Sequence, residues 1–451
     1  MNKKIIRFIY FIFMFAFIFL FSCENKELKY IEKNKTEDTI EIPFEFTESD
    51  DEPTDNYNLM LGWNILGFSD GYIYFVNGSS NPFNLQENQT LWKYNIKTNN
   101  LTSVCSDPIC KHNTPSCPLY AITDQYYIYN NKVLATYIYY TFIDDGSTGN
   151  TPDIEGWGGF KMYDMSNGKS LLLNEFNPKE GYTEDLRKLI FDDYCIYYDY
   201  VYNEKIDAWV FAICRWDMTT NKIVTLTGMD NTYDFNSQEN SALATTFLFA
   251  IDSRIYFSDG KTIYSTDVNY ENRIDHVTGK FDANVYTDGK YIYYGIYIPN
   301  SKNTVQSIRR MDFDGKNDID LGINAESYNW QITSKYIYYK KYDEITIGKN
   351  MVSGYAGENI ILTNSEIWRC NHDGTNHELV YKFEGDMANT RMVNEIYVGN
   401  YIYGIYEKWT DSDNDGVFKD GDRYYSDTYE DFTIMRINIE TGEVYYIKVD
   451  I

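Results

Sequence analysis

The stretch "NVYTDGKYIYYGIYIPNSKNTVQSIRRMDFDGKNDIDLGI", residues 284–323, holds one complete folding unit. Aromatic and β-branched residues alternate with polar ones through "NVYTD", "KYIYYGIY" and "TVQSIRRMD", which is the two-residue period of a strand. The runs are separated by Asp288-Gly289 and Asp314-Gly315, pairs that supply the positive φ angles of tight hairpin turns. A last run follows the second turn. The stretch therefore predicts four antiparallel strands in series.

The unit recurs. Copies of its second strand read "GYIYF" at 71–75, "TYIYY" at 136–140, "YCIYY" at 194–198, "SRIYF" at 253–257, "KYIYY" at 290–294, "KYIYY" at 335–339 and "NYIYG" at 400–404. Downstream partners read "LWKYN" at 91–95, "FKMYD" at 160–164, "ICRWD" at 213–217, "TIYSTD" at 262–267, "IRRMD" at 308–312, "IWRCN" at 367–371 and "IMRIN" at 434–438. After residue 60 no stretch has a helical period of useful length. A lone four-stranded unit cannot bury both faces, whereas a closed ring of them can. The fold class is therefore all-β: a seven-bladed β-propeller over residues 59–451, with six and eight blades as the neighbouring alternatives. The 45 tyrosines fit between blades, with their hydroxyls reaching the edges.

At "IWRCNHDGTNHELVY" and "IRRMDFDGKND" the chain resembles the YWTD-type propellers of low-density-lipoprotein receptors. The resemblance rests on an Arg followed by an Asp-Gly turn. Bacterial lipoproteins with similar propellers exist. The resemblance implies a protein- or ligand-binding scaffold and transfers no catalytic residue.

Lys3, Lys4 and Arg7 precede an apolar run ending at Phe21, the arrangement of a secretory signal over residues 1–22. "LFSC", Leu20 to Cys23, resembles the lipobox of bacterial lipoproteins. That resemblance makes Cys23 a lipid-bearing N-terminus on the extracytoplasmic face of the cell membrane. An ordinary signal or an uncleaved anchor helix are the alternatives. Residues 24–58 are polar and charged, so 23–58 reads as a lipidated cysteine and a flexible acidic tether. The net charge of −27 repels nucleic acid and anionic headgroups. The expected protein is a monomer that touches the membrane through its lipid.

"DSDNDGVFKDGD", residues 411–422, has the spacing of a calcium loop. Asp411, Asp413 and Asp415 alternate, Gly416 allows the sharp turn, Val417 offers a carbonyl, and Asp422 closes the loop. Its flanks are strands, which makes it a calcium hairpin inserted in a blade with a structural role. The alternative is a solvated acidic loop.

"CSDPICKHNTPSC" is a Cys-rich connector over residues 105–117. Cys105, Cys110 and Cys117 with His112 form a candidate zinc site. In an oxidising compartment they equally form a disulfide staple, with Cys370 available for the odd thiol, or a reactive thiol. Cys195 and Cys214 lie symmetrically about a loop at Asn203–Ile206, which predicts that they face each other and form a disulfide.

Catalytic motifs fail on context. "GFSDG", 67–71, would place Ser69 in a hairpin turn and not in a nucleophile elbow. "NGKS" at 167–170 and "DGKT" at 259–262 lack the first glycine of a phosphate loop. His276, His372 and His377 read as turn or surface residues. The function expected is a non-catalytic extracytoplasmic binding module for a protein, peptide or glycan. Its contact loops would be the calcium loop, 141–159 with Trp157, and 343–359 with Tyr355. Two alternatives remain: a glycan-active hydrolase or lyase in the funnel, and a metal- or redox-linked envelope protein using the Cys-rich connector.

Overall fold

A computed structural model describes Asp51 and residues 59–448. It breaks at 62–66, 78–89, 111–116, 144–152, 177–187, 204–206, 227–245, 299–304, 350–357, 385–389, 410–422 and 425–432, and at a few shorter gaps. Cys23, His112, Tyr355 and the whole 411–422 loop lie outside the described residues. Among the described residues there is no helix long and apolar enough to cross a membrane.

Seven antiparallel sheets follow one another along the chain. Blade 1 comprises Gly67–Ser69, Tyr72–Asn77, Thr90–Asn95 and Asn100–Ser103; blade 2, Ile122–Tyr129, Lys132–Ile143, Asp153–Asp164 and Lys169–Phe176. Blade 3 comprises Lys188–Phe191, Tyr194–Asn203, Ala208–Asp217 and Lys222–Thr225; blade 4, Thr246–Ile251, Arg254–Ser258, Thr262–Asp267 and Ile274–Thr278. Blade 5 comprises Phe281–Thr287, Tyr291–Tyr297, Val305–Asp312 and Ile319–Glu326; blade 6, Trp330–Ile332, Tyr336–Lys349, Glu358–Asn371 and Glu378–Lys382. Blade 7 comprises Thr390–Val398, Tyr401–Trp409, Thr433–Asn438 and Val444–Lys448, with the short Arg423–Tyr424 beside its second strand. The first strands of blades 3, 4, 5 and 6 neighbour one another in turn, which puts them innermost. This is the seven-bladed β-propeller expected from the repeat.

The pairing registers identify equivalent positions. Tyr291 opposes Asp312 and Ile292 opposes Met311 in blade 5. The equivalents of Ile292 are Ile73, Val133, Cys195, Ile255, Ile337 and Ile402, and all seven are at most 1 % exposed. Burying a side chain of this size contributes about 1.5–3 kcal/mol, so this one row is a main anchor of the ring. Two anchors move relative to the sequence pattern. "TYIYY" lies mid-strand in blade 2, whose strand begins at Lys132 after Asn131 at φ 58°. In blade 3, Cys195 and not Ile196 takes the anchor position. Long aromatic strands repeat the same alternation throughout, so only the turn residue marks where they begin.

Each third strand ends in Asp or Asn: Asn95, Asp164, Asp217, Asp267, Asp312, Asn371 and Asn438. In five blades this side chain accepts backbone N–H groups of the turn that follows, at 2.9–3.1 Å. The turns also pack one blade on the next. A Cβ on Gly374, at φ +76°, would sit 2.6 Å from the Leu321 carbonyl oxygen of blade 5; a Cβ on Gly442, at φ +71°, would meet nothing within 4 Å. Gly374→Ala therefore combines backbone strain with a clash and is expected to cost more than the roughly 1–2 kcal/mol of left-handed strain alone that applies to Gly442→Ala. Thermal unfolding of the two variants checks this; equal midpoints would rule out a contribution from the approach to Leu321.

Blades 1 and 7 exchange no strand among the described residues. Side chains join them: Phe68, Ile73, Phe75 and Tyr94 pack with Ile396, Val398, Tyr403 and Ile434. Arg436 Nη1 donates to Asn99 Oδ1 at 3.1 Å, and the Tyr94 hydroxyl donates to the same oxygen at 2.7 Å. The strand Leu59–Leu61 does not enter blade 1. It pairs with the innermost strand of blade 2, Leu59 opposite Ile128.

Candidate functional site

Antiparallel order divides the connections between two faces. Turns joining first to second and third to fourth strands lie on one face; second-to-third and blade-to-blade connections lie on the other. The first face is built of tight turns such as Asp70-Gly71, Asp288-Gly289 and Asp373-Gly374. The second face carries long hairpins. Strands there reach 12 residues in blade 2, 10 in blade 3 and 14 in blade 6. The expected contact loops 141–159 and 343–359 belong to these hairpins. The 411–422 segment, outside the described residues, lies in sequence between the second and third strands of blade 7.

The Cys-rich connector leaves the hairpin-face end of blade 1 and packs between blades 1 and 2, with Tyr74, Val76, Leu91, Tyr126, Val133 and Tyr163 around it. The Sγ atoms of Cys105, Cys110 and Cys117 all lie within 4.8 Å of one another. Cys105 and Cys117 are buried, and Cys110 is half-buried. Local hydrogen bonds shape the loop. The Cys105 N–H donates to Ser103 Oγ at 3.2 Å, Cys110 N–H to the Asp107 carbonyl at 3.2 Å, and Leu119 N–H to Cys117 Sγ at 3.4 Å. Lys161 of blade 2 donates to the Cys117 carbonyl at 3.4 Å. The hydrogen bond with Cys105, then burial, push the Cys117 thiol well up. Burial lowers the Lys161 pKa, against the pull of Cys117 and Cys105.

The other cysteines stand elsewhere. Cys370 belongs to the core between blades 5 and 6, with Trp330 and Ile337. The blade 3 hairpin pairs Cys195 with Trp216 and Cys214 with Tyr197. The expected facing pair is thus displaced by two residues, because the loop is 204–207 and not 203–206. In that register the two are diagonal neighbours at roughly 7–8 Å, too far for a disulfide. Both are thiols within one apolar cluster.

The tight-turn face holds a buried acid–base pair. Asp288, in the first turn of blade 5, accepts N–H groups from Lys290 and Tyr291 at 2.8 and 2.7 Å and the Tyr293 hydroxyl at 2.8 Å. His372, from blade 6, approaches it with Nδ1 at 3.2 Å, while Nε2 faces the Thr333 carbonyl at 2.9 Å. Both ring nitrogens face acceptors, an arrangement that favours the doubly protonated, charged imidazole. Burial alone would raise the Asp288 pKa, but its four donors carry it down to about 2. Burial alone would lower that of His372, but Asp288 and the neighbouring carbonyls raise it.

Blade 6 lacks this acid: Thr333 occupies the place of Asp288. Asp51 supplies it from the N-terminal segment. Its Oδ1 accepts the Lys335 N–H at 2.9 Å and the Ser334 hydroxyl at 3.2 Å; Oδ2 accepts the Tyr338 hydroxyl at 3.1 Å. Its carbonyl accepts the Gly399 N–H of blade 7 at 2.7 Å. Asp51 is only 5 % exposed, so the tether is docked at this residue rather than free along its whole length. Nothing in the sequence singled out Asp51. The role of His372 was hidden because its partner comes from another blade.

Ser69 lies in a hairpin and donates to its neighbour Asp70 at 3.3 Å, as its turn reading requires. Gly168 of "NGKS" is a turn glycine at φ +70°, and Asp259 of "DGKT" accepts two backbone N–H groups of its own turn. His276 meets Ser265 and stacks on Tyr256; His377 meets the Tyr339 hydroxyl. A cleft of about 140 Å³ between blades 2 and 3 is lined by Lys132, Leu134, Ile190 and Asp193 among others. Small-molecule sites are typically roughly 300–1,000 Å³.

No protein-family model matches the chain, and no curated protein matches its sequence. Solved structures do resemble it. A Pyrococcus horikoshii acylaminoacyl peptidase is 10 % identical with a TM-score of 0.48, covering 86 % of this chain and 52 % of that one. The β-propeller domain of the trilobed protease from Pyrococcus furiosus is 9 % identical with a TM-score of 0.42, covering 85 % of this chain and 94 % of that domain. A puromycin-hydrolysing peptidase of Mycobacterium tuberculosis is 8 % identical with a TM-score of 0.42, covering 88 % and 54 %. The chain thus spans about half the length of the two peptidases. At these identities nothing of those enzymes' chemistry carries over.

Proposed function

We propose that the chain is a non-catalytic binding module, held outside the cytoplasm by a lipid on Cys23, whose hairpin face receives a protein, peptide or glycan. The observation that carries this reading is the division of labour between the faces. Long hairpins project from one, while the charged network of Asp51, Asp288 and His372 is consumed in holding turns on the other. Loops on a rigid scaffold are the usual place for recognition. The docking of Asp51 supports a direction for the ring: with the tether held on the tight-turn face, the hairpin face would point away from the membrane. Calcium bound by Asp411, Asp413, Asp415, Asp422 and the Val417 carbonyl would stiffen one of its loops.

The test uses residues 24–451 immobilised through the N-terminus, probed with a panel of soluble oligosaccharides and a displayed random-peptide library. Binding is expected to be lost when the blade 6 hairpin is shortened to an Asn-Gly turn between Ile345 and Ile361. Binding that survives shortening of every long hairpin, or cleavage of an oligosaccharide detected by mass spectrometry, would overturn the reading.

A further inference from the structure

We propose that Cys105, Cys110 and Cys117 bind one Zn²⁺ ion as thiolates, forming a metal clasp between blades 1 and 2. Three thiols converge on one point. A single S–S bond, at about 2.05 Å, can join only two of them and strands the third. An ion with Zn–S bonds of about 2.3 Å holds all three at once at roughly 3.8 Å from one another, and sulfurs that already lie within 4.8 Å of one another reach that geometry by small side-chain shifts. Soft thiolate donors select d¹⁰ zinc over calcium or magnesium.

The surroundings suit an anionic cluster. Binding converts three thiols and Zn²⁺ into a tris-thiolate zinc centre of charge −1 and releases three protons to solvent, with no change of oxidation state. Leu119 N–H already points at Cys117 Sγ. The Lys161 ammonium stands half-buried beside the loop as a ready countercharge. Tyr126 belongs to the same buried cluster as Cys105 and Cys117, and its hydroxyl, on a residue 1 % exposed, has no hydrogen-bond partner among the described residues. A thiolate is an acceptor that hydroxyl can serve. Such outer partners orient ligands and tune affinity. The clasp would fix the connector that leads from the last strand of blade 1 to the first paired strand of blade 2, since ligation orders a loop that has few apolar residues of its own.

The experiment is a Co²⁺ titration of residues 24–451, purified under reducing conditions and stripped of metal. One equivalent is expected to give sulfur-to-cobalt charge-transfer absorption, removed on adding Zn²⁺. Cys105→Ser, Cys110→Ser and Cys117→Ser should each abolish it, while Cys195→Ser and Cys370→Ser should not. Lys161→Met should weaken Zn²⁺ binding about ten- to a hundredfold without abolishing it. Because a connector variant can fail to fold, unaltered protein is also alkylated with and without Zn²⁺; mass spectrometry should show three thiols protected by the metal. Absence of the band in reduced protein, a band that survives all three connector variants, or unchanged alkylation would overturn the proposal.

Discussion

His372→Ala should lower the stability of the ring by about 3 kcal/mol near pH 6, because it leaves the Asp288 carboxylate buried without its cation. The Asp288 side chain is 8 % exposed and His372 21 %, so solvent cannot replace the lost partner. The effect must follow pH in a defined way. Asp288 has its pKa depressed from 3.8 to about 2, so its contribution is present above 3.8 and fades as pH falls towards 2. His372 has its pKa raised above 6.5, so its contribution is full below 6.5 and fades as pH rises through the folded value. The gap between wild type and variant should therefore be widest between roughly pH 4 and 6.5 and shrink on both sides. Denaturant unfolding at a series of pH values measures this. A gap independent of pH would show that His372 acts by packing alone, through its edge contact with Tyr293 at 5.8 Å.

The same pair marks the limit of what the sequence discloses. Strand periodicity and Asx-Gly turns are local properties, so the four-stranded unit, its recurrence and the propeller class could be read directly. The Asp or Asn ending each third strand was already visible in "IRRMD" and "IWRCN", because its partners lie within five residues. What failed was long-range or uniform. In blade 2 the aromatic run begins only at Tyr137, five residues after the strand starts at Lys132, which hides the strand's start. The one-residue change in the blade 3 loop displaced Cys195 from Cys214. Asp288 meets His372 across a blade boundary, and no spacing encodes that. The cysteine cluster was legible as a cluster, since its members are close in sequence. That all three sulfurs converge, and not two, was not legible from their spacing.

Asp51→Ala should cost about 2 kcal/mol, the scale of stranding buried hydrogen-bond donors. It orphans the Lys335 N–H and the Tyr338 hydroxyl, the latter on a ring stacked 3.9 Å from Tyr397 of blade 7. Asp51→Asn should be nearly neutral, since an amide oxygen accepts the N–H and its NH₂ can donate to the tyrosine oxygen. Burial raises the Asp51 pKa above 3.8, against the lowering effect of its hydrogen bonds. The protonated form is therefore favoured in the fold, and that stabilisation is lost as pH rises from 3.8 through the folded value. The asparagine variant lacks this loss, so it should gain on wild type as pH rises across the window. The decisive variant is Thr333→Asp in the Asp51→Ala background. An acid at 333 stands where Asp288 stands in blade 5, within reach of the Tyr336 N–H that Thr333 Oγ1 now accepts at 3.0 Å. Unfolding midpoints restored by this second change would show that blade 6 needs a hydrogen-bond acceptor at this turn and is indifferent to which segment provides it. No restoration would mean that the Asp51 side chain acts chiefly by docking the N-terminal segment, whose carbonyl bond to Gly399 of blade 7 an acid at 333 cannot replace.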